Sequence, residues 1–135
     1  MALGRFSVII ILLICPIFST SRDSKPSADP NEAWHLALKH EADGVELANA
    51  GKLNDALLKF ESAFSLVSKN TALSTSAPGR ALAGRVLSFI GNVHTLLGDL
   101  KAGVKQWVKA LKFDPSLADA RQNVVKSLMD QGRHA

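Results

Sequence analysis

Cysteine is almost missing from this chain. One occurs in 135 residues, Cys15, and it lies inside an apolar run near the N-terminus. A single thiol excludes an internal disulfide framework and a cysteine-built metal site. Tyrosine is absent and aromatics make up 6% of the residues, so the interleaved aromatic and basic side chains of a nucleic-acid surface are not there. No Asn-x-Ser/Thr acceptor occurs, so passage through a glycosylating compartment leaves Asn unmodified. Long β-branched alternation is also lacking, which argues against sheet. The histidines, His35, His40, His94 and His134, share no metal-ligand spacing with one another or with a carboxylate. No serine sits in a nucleophile elbow, and no glycine-rich phosphate loop precedes a lysine. The chain therefore reads as non-enzymatic, with no catalytic residue, no metal and no cofactor expected.

What remains is apolar and helix-forming. Hydrophobic residues make up 47%, enough for the core of one domain, and the length leaves no room for two. Ala, Leu, Lys and Val dominate the second half, a bias toward helix. The formal charge of +4 is uneven. Residues 22–69 carry 6 Lys/Arg against 8 Asp/Glu, and residues 70–135 carry 9 against 4. A basic half favours an acidic partner, but its density is far below that of a nucleic-acid binder, so none is expected.

The N-terminus has the three-part order of a secretory signal. Arg5 supplies the positive charge, Val8 to Ile14 is unbroken apolar sequence, and Ser19, Thr20 and Ser21 are small. Cleavage is expected before Arg22, which makes residues 1–21 a signal peptide. The run is about half the roughly twenty residues a spanning helix needs. Ile14 stands before Cys15, where a lipid-attachment signal requires a small residue. The alternative is an uncleaved anchor through residues 7–18, which would make the protein a structural subunit of a membrane complex. Membrane contact is expected only in that case. Residues 22–30 are Ser, Pro and charged residues with almost nothing apolar, and read as a flexible linker.

The rest reads as five helices. Asp29-Pro30-Asn31-Glu32 has a capping residue, a proline at the first helical position and an acid three residues after the cap, a helix start. The first helix is expected to run to about Ala50, the second from about Leu53 to Ser68. Residues 70–79, Ser/Thr-rich with Pro78, are expected to form a loop. The third helix is placed at about Arg80 to Leu97, the fourth at Asp99 or Leu100 to Phe113, and the fifth from Asp114-Pro115 to near Gly132. Val104, Trp107, Val108 and Leu111 fall at helical spacing on the fourth, and Leu117, Val124, Val125, Leu128 and Met129 make a similar stripe on the fifth.

One shift superposes the two halves. Gly44 matches Gly91, Gly51 matches Gly98, Leu53 matches Leu100, Phe60 matches Trp107, Ala63 matches Ala110 and Leu66 matches Phe113, each pair 47 positions apart. Small residues permit close helix approach, Phe60 and Trp107 fill the space between helix pairs, and Gly51 and Gly98 suit a left-handed helix end.

These segments resemble tetratricopeptide repeats, helix-turn-helix units of about 34 residues. Leu87-Ser-Phe-Ile90-Gly91-Asn-Val-His94, then Leu97-Gly98-Asp99-Leu100, Trp107, Ala110 and Asp114-Pro115, follow the family pattern. His94 replaces its usual Tyr and Gly103 its usual Ala. In the first unit Gly44, Gly51, Leu53, Ala56, Phe60 and Ala63 fit, while His40 and Asp43 hold normally apolar positions. The resemblance implies an all-α fold, a short α-solenoid of antiparallel helix pairs over residues 31–132. It places repeat 1 at about 37–69, the loop at 70–79, repeat 2 at about 84–116 and a capping helix at 117–132.

It also implies a function, protein or peptide binding in the groove lined by the first helix of each pair, as in an adaptor or co-chaperone. The groove face would show Arg85, Ser88, Phe89 and Asn92 on the third helix, and Gln122, Asn123 and Lys126 on the fifth. The expected contacts are Arg85, Phe89, Asn92, Asn123 and Lys126. A clamp for a chaperone C-terminal carboxylate is not expected. Asn92 and Asn123 match its two asparagines, but Ser88 stands where it needs Lys, and Glu41 and Val45 stand where Lys and Asn would be. Lys101, Lys105, Lys109 and Lys112 recur at i, i+4, i+8 and i+11. They read as a solvated face, with contact to an acidic partner as the functional alternative. Two repeats and a cap fall short of the three units such arrays usually need, which predicts marginal stability alone or self-association.

Overall fold

The computed structural model describes residues 29–134. The signal segment 1–21 and the alternative anchor 7–18 lie outside the described residues. So does most of the 22–30 linker, whose last two residues, Asp29 and Pro30, are the cap and first position of the first helix.

The described residues form α1 (Pro30–Asn49), α2 (Leu53–Ser68), α3 (Thr71–Ser74), α4 (Ala77–Leu96), α5 (Leu100–Phe113) and α6 (Ala118–His134), with no strand among them. The fold is all-α. Helices α1 and α2 make one hairpin, α4 and α5 a second, and α6 packs on α5. The hairpins stack through α2 against α4, with a lighter contact between α1 and α4. This is the expected short stack of antiparallel helix pairs.

Helix ends follow local chemistry. The Asp29 carboxylate accepts from the Asn31 N–H at 2.9 Å, and that of Asp99 accepts from Ala102 at 3.0 Å. Each satisfies an N–H that the helix itself leaves unpaired. The first helix of each hairpin ends on a glycine with positive φ, Gly51 at 82° and Gly98 at 92°. After each, the next N–H reaches back to a helical carbonyl, Lys52 to Leu47 and Asp99 to His94, both at 2.9 Å. The two hairpins thus turn by the same device, 47 positions apart.

Three boundaries differ from expectation, one of them the start of α6 at Ala118 rather than at Asp114-Pro115, where the Asp114 carboxylate instead accepts from the Ser116 N–H and hydroxyl in a turn. Residues 70–79 are not an open loop, because they contain the single-turn α3, capped by the Asn70 side chain on the Leu73 N–H at 3.3 Å. Helix α4 starts at Ala77 rather than Arg80, because Ser76 caps the Gly79 N–H at 3.0 Å and Pro78 sits in the first turn. Proline there loses no helical hydrogen bond, so it opens the helix instead of preceding it.

The core lies where the hairpins meet. Phe60, Val67, Leu82, Val86, Leu87 and Val93 are its largest fully buried side chains. Phe60 of α2 stacks on Phe89 of α4, centroids 5.2 Å apart, and its ring also lies against Gly44 of α1. Trp107 of α5 lies against Gly91 of α4 in the equivalent way. Burying each such ring contributes on the order of 2–3 kcal/mol. No helix among the described residues is long and apolar enough to cross a membrane.

Candidate binding groove

Helices α1 and α4 begin their hairpins and lie side by side, with α2 behind them. Their shared face carries a hollow of about 230 Å³. Val45, Ala48 and Asn49 of α1 form one wall, and Phe89, Asn92, Val93 and Leu96 of α4 the other. Phe60 reaches the floor from α2. Leu96 is 68% exposed at the rim, without cover from the rest of the fold. The lining is therefore apolar, with two side-chain amides, Asn49 and Asn92, at its edge.

One turn before the hollow, the two helices are tied by a two-pronged ion pair. The Arg85 Nε and Nη2 both donate to the Glu41 carboxylate, the second at 2.8 Å. A planar guanidinium matches a carboxylate in this way. The hydrogen bond to Glu41 raises the Arg85 pKa further above its ordinary value, against a smaller opposing effect of burial. The pair cancels the charge of both groups, so this end of the groove is locally neutral.

Asn92 is held too. Its side-chain oxygen accepts from the Trp107 indole Nε1 at 3.0 Å, a bond that does not use its NH₂ group. Of the residues expected to contact a ligand, Arg85, Phe89 and Asn92 share one face of α4, but each has a partner within the fold. Phe89 and Asn92 line the hollow and Arg85 stands beside it. Asn123 and Lys126 are on α6. Lys126 lines a separate hollow made by α6 alone, with Arg121, Gln122, Val125, Met129 and Asp130, and Asn123 lines neither. The five are therefore not one constellation. Ser88, expected on the groove face, is buried.

Sequence reasoning passed over Ala48, Asn49, Val93 and Leu96 as lining residues. The repeat shift contained the signal, since Val45 corresponds to Asn92 and Asn49 to Leu96. Each such pair occupies one position on the facing helices.

The four lysines of α5 are all exposed. The Lys109 Nζ stands 5.0 Å from the Phe64 ring centroid, a cation-π contact. His94 is half-buried, while His40 has a buried Nδ1 without a hydrogen-bond partner. Among the described residues no three His, Cys, Asp or Glu side chains gather as a metal site. No protein-family model matches the chain, and no curated protein matches it.

Proposed function

We propose that the chain is a non-catalytic protein-interaction module and that the α1–α4 groove is its binding site. The observation that carries this reading is the apolar hollow between the leading helices of two stacked hairpins, with amides on its rim and its neighbouring charges paired. A pocket of this size suits one or two apolar side chains of a peptide, whose backbone the Asn49 and Asn92 amides can hydrogen-bond. The groove selects for apolar anchors rather than a terminal carboxylate, because its one nearby guanidinium is already engaged. Membership of the tetratricopeptide family is part of the proposal. Its support is the repeated pair of glycine–ring contacts and the repeated positive-φ turn.

Peptides selected for binding to the chain from a random library test the site. Binding is expected to fall at least tenfold in Leu96→Glu and Ala48→Glu and to stay unchanged in Lys105→Glu. Equal binding by all three variants contradicts the groove. Arg85 and Asn92 are poor choices for this test because both support the fold.

We further propose that the module works in the secretory pathway or outside the cell, on the order of residues in 1–21. N-terminal sequencing of the protein recovered from expressing cells is expected to begin near Arg22. A start at Met1 would favour the anchored alternative.

A further inference from the structure

The two ends of the helix stack are both apolar and differ in charge. At the C-terminal end, α6 presents Val125, Leu128 and Met129, which are 51%, 55% and 58% exposed. At about 100° per residue these three fall on one face, opposite the buried Ala120 and Ser127 that sit toward α5. The exposed side of α6 is thus mixed, with this apolar strip set among polar side chains. Around the apolar strip stand Arg121 and Lys126, with Asp130 at one edge.

At the N-terminal end, the outer face of the α1–α2 hairpin carries two adjoining hollows of about 450 Å³ each, which share Leu36 and Leu66. No residue of α3 to α6 lines either one. Leu36 and Leu58 are 43% and 63% exposed there. The charges at these hollows are Asp29, Glu32 and Glu61 against Lys39, whose ammonium is already paired with Asp43 at 3.2 Å. An acidic apolar face thus closes one end of the stack and a basic apolar face the other.

We propose that a second copy of the chain docks head to tail, the outer face of α6 in one copy seating on the outer face of the α1–α2 hairpin in the next. Within one chain the second hairpin already stacks on the first. The contact extends that stacking between chains and pairs Arg121 and Lys126 with Glu32 and Glu61. It uses the ends of the stack and leaves the α1–α4 groove open, so it stands independently of the peptide-binding reading. A contact between two different faces generates a ring or an open filament rather than a closed two-fold dimer.

Sedimentation velocity on the chain, expressed from Met1 and purified in its naturally processed form, tests this. The protein is expected to grow beyond dimer as concentration rises, and to dissociate in high salt. Leu36→Lys/Leu58→Lys blocks one face and Val125→Glu/Met129→Glu the other, all at exposed positions. Each double variant alone is expected to be monomeric, and their equimolar mixture to stop at a heterodimer, joined through the one intact face of each. Single reversals, Glu32→Lys or Lys126→Glu, leave the apolar positions alone and should weaken assembly about two- to fivefold. A wild-type chain that stays monomeric at high concentration overturns the proposal. So does a mixture that stays monomeric, which is the outcome for apolar ends covered in some other way, and so does a double variant that still dimerises alone, which is the outcome for a two-fold dimer through its intact face.

Discussion

Trp107 rests so closely on Gly91 that a β-carbon at position 91 would stand 2.6 Å from its indole ring. Gly44 has the same relation to Phe60, with the nearest ring atom also at 2.6 Å. Neither ring can swing away, since Phe60 and Trp107 are both buried. Gly91→Ala and Gly44→Ala are therefore expected to destabilise the protein, although alanine is the better helix former. Overpacking costs about 1–3 kcal/mol and the gain in propensity returns about 1 kcal/mol. Urea unfolding of each variant measures the difference, and a stabilised Gly91→Ala would refute the contact.

The turns obey a different constraint. A β-carbon at Gly51 or Gly98 meets no atom within 4 Å, yet their φ values of 82° and 92° disfavour any L side chain. Gly51→Ala and Gly98→Ala should each cost about 1–2 kcal/mol from backbone strain alone. Because no packing is disturbed, Asn at either position should recover part of the loss. Thermal melts of the two series distinguish strain from overpacking.

Arg85 and Glu41 join the leading helices of the two hairpins, and the pair is partly exposed, at 45% and 12% of the side chains. Solvent screening holds its coupling to roughly 1 kcal/mol, to be read from a double-mutant cycle with Arg85→Met and Glu41→Gln. Asn92→Ala removes the acceptor of the Trp107 indole and should cost about 0.5–1.5 kcal/mol. Either change alters the groove walls through the fold, without any ligand present.

His40 makes stability depend on pH. Burial, and then the positive charge of Lys59, lower its pKa below the ordinary 6.5. The unfolded chain then binds more protons than the folded one as the pH drops below that value. The stabilisation is complete above about pH 6.5 and is lost as pH falls toward the lower folded pKa. The melting temperature should decline as the pH falls below about 6.5, and His40→Gln should flatten that decline. Asp114, whose carboxylate is held below its usual range chiefly by the Ser116 hydroxyl and N–H, loses its contribution only in more acidic solution. The two effects therefore separate along the pH axis.

Much of the fold was legible because its determinants are local or repeated. The caps at Asp29 and Asp99 and the glycines that end α1 and α4 are visible as residue types in order. The close approaches at Gly44 and Gly91 followed from the 47-residue correspondence. Helix α3 and the early start of α4 were missed for one shared reason. Ser, Thr, Asn and Pro are the residues of both loops and caps, and only the packed structure tells Asn70 and Ser76 apart from ordinary loop residues. The candidate site was less legible. The family resemblance put Arg85, Phe89 and Asn92 on one face of α4, but whether a side chain is free or engaged depends on its neighbour across the interface. Glu41 and Trp107 supply those neighbours from sequence distances of 44 and 15 residues. The same resemblance grouped Asn123 and Lys126 with them, and it carries no information on whether α6 reaches the hollow.

Amide chemical-shift mapping with a selected peptide tests whether the α1–α4 groove is the binding site. Saturating peptide is expected to shift the signals of Val45, Ala48, Asn49, Phe89, Asn92 and Leu96, and to leave those of Lys101, Lys105, Lys109 and Lys112 in place. Shifts confined to the α5 lysine face or to α6, with the α1–α4 hollow unmoved, would contradict that site.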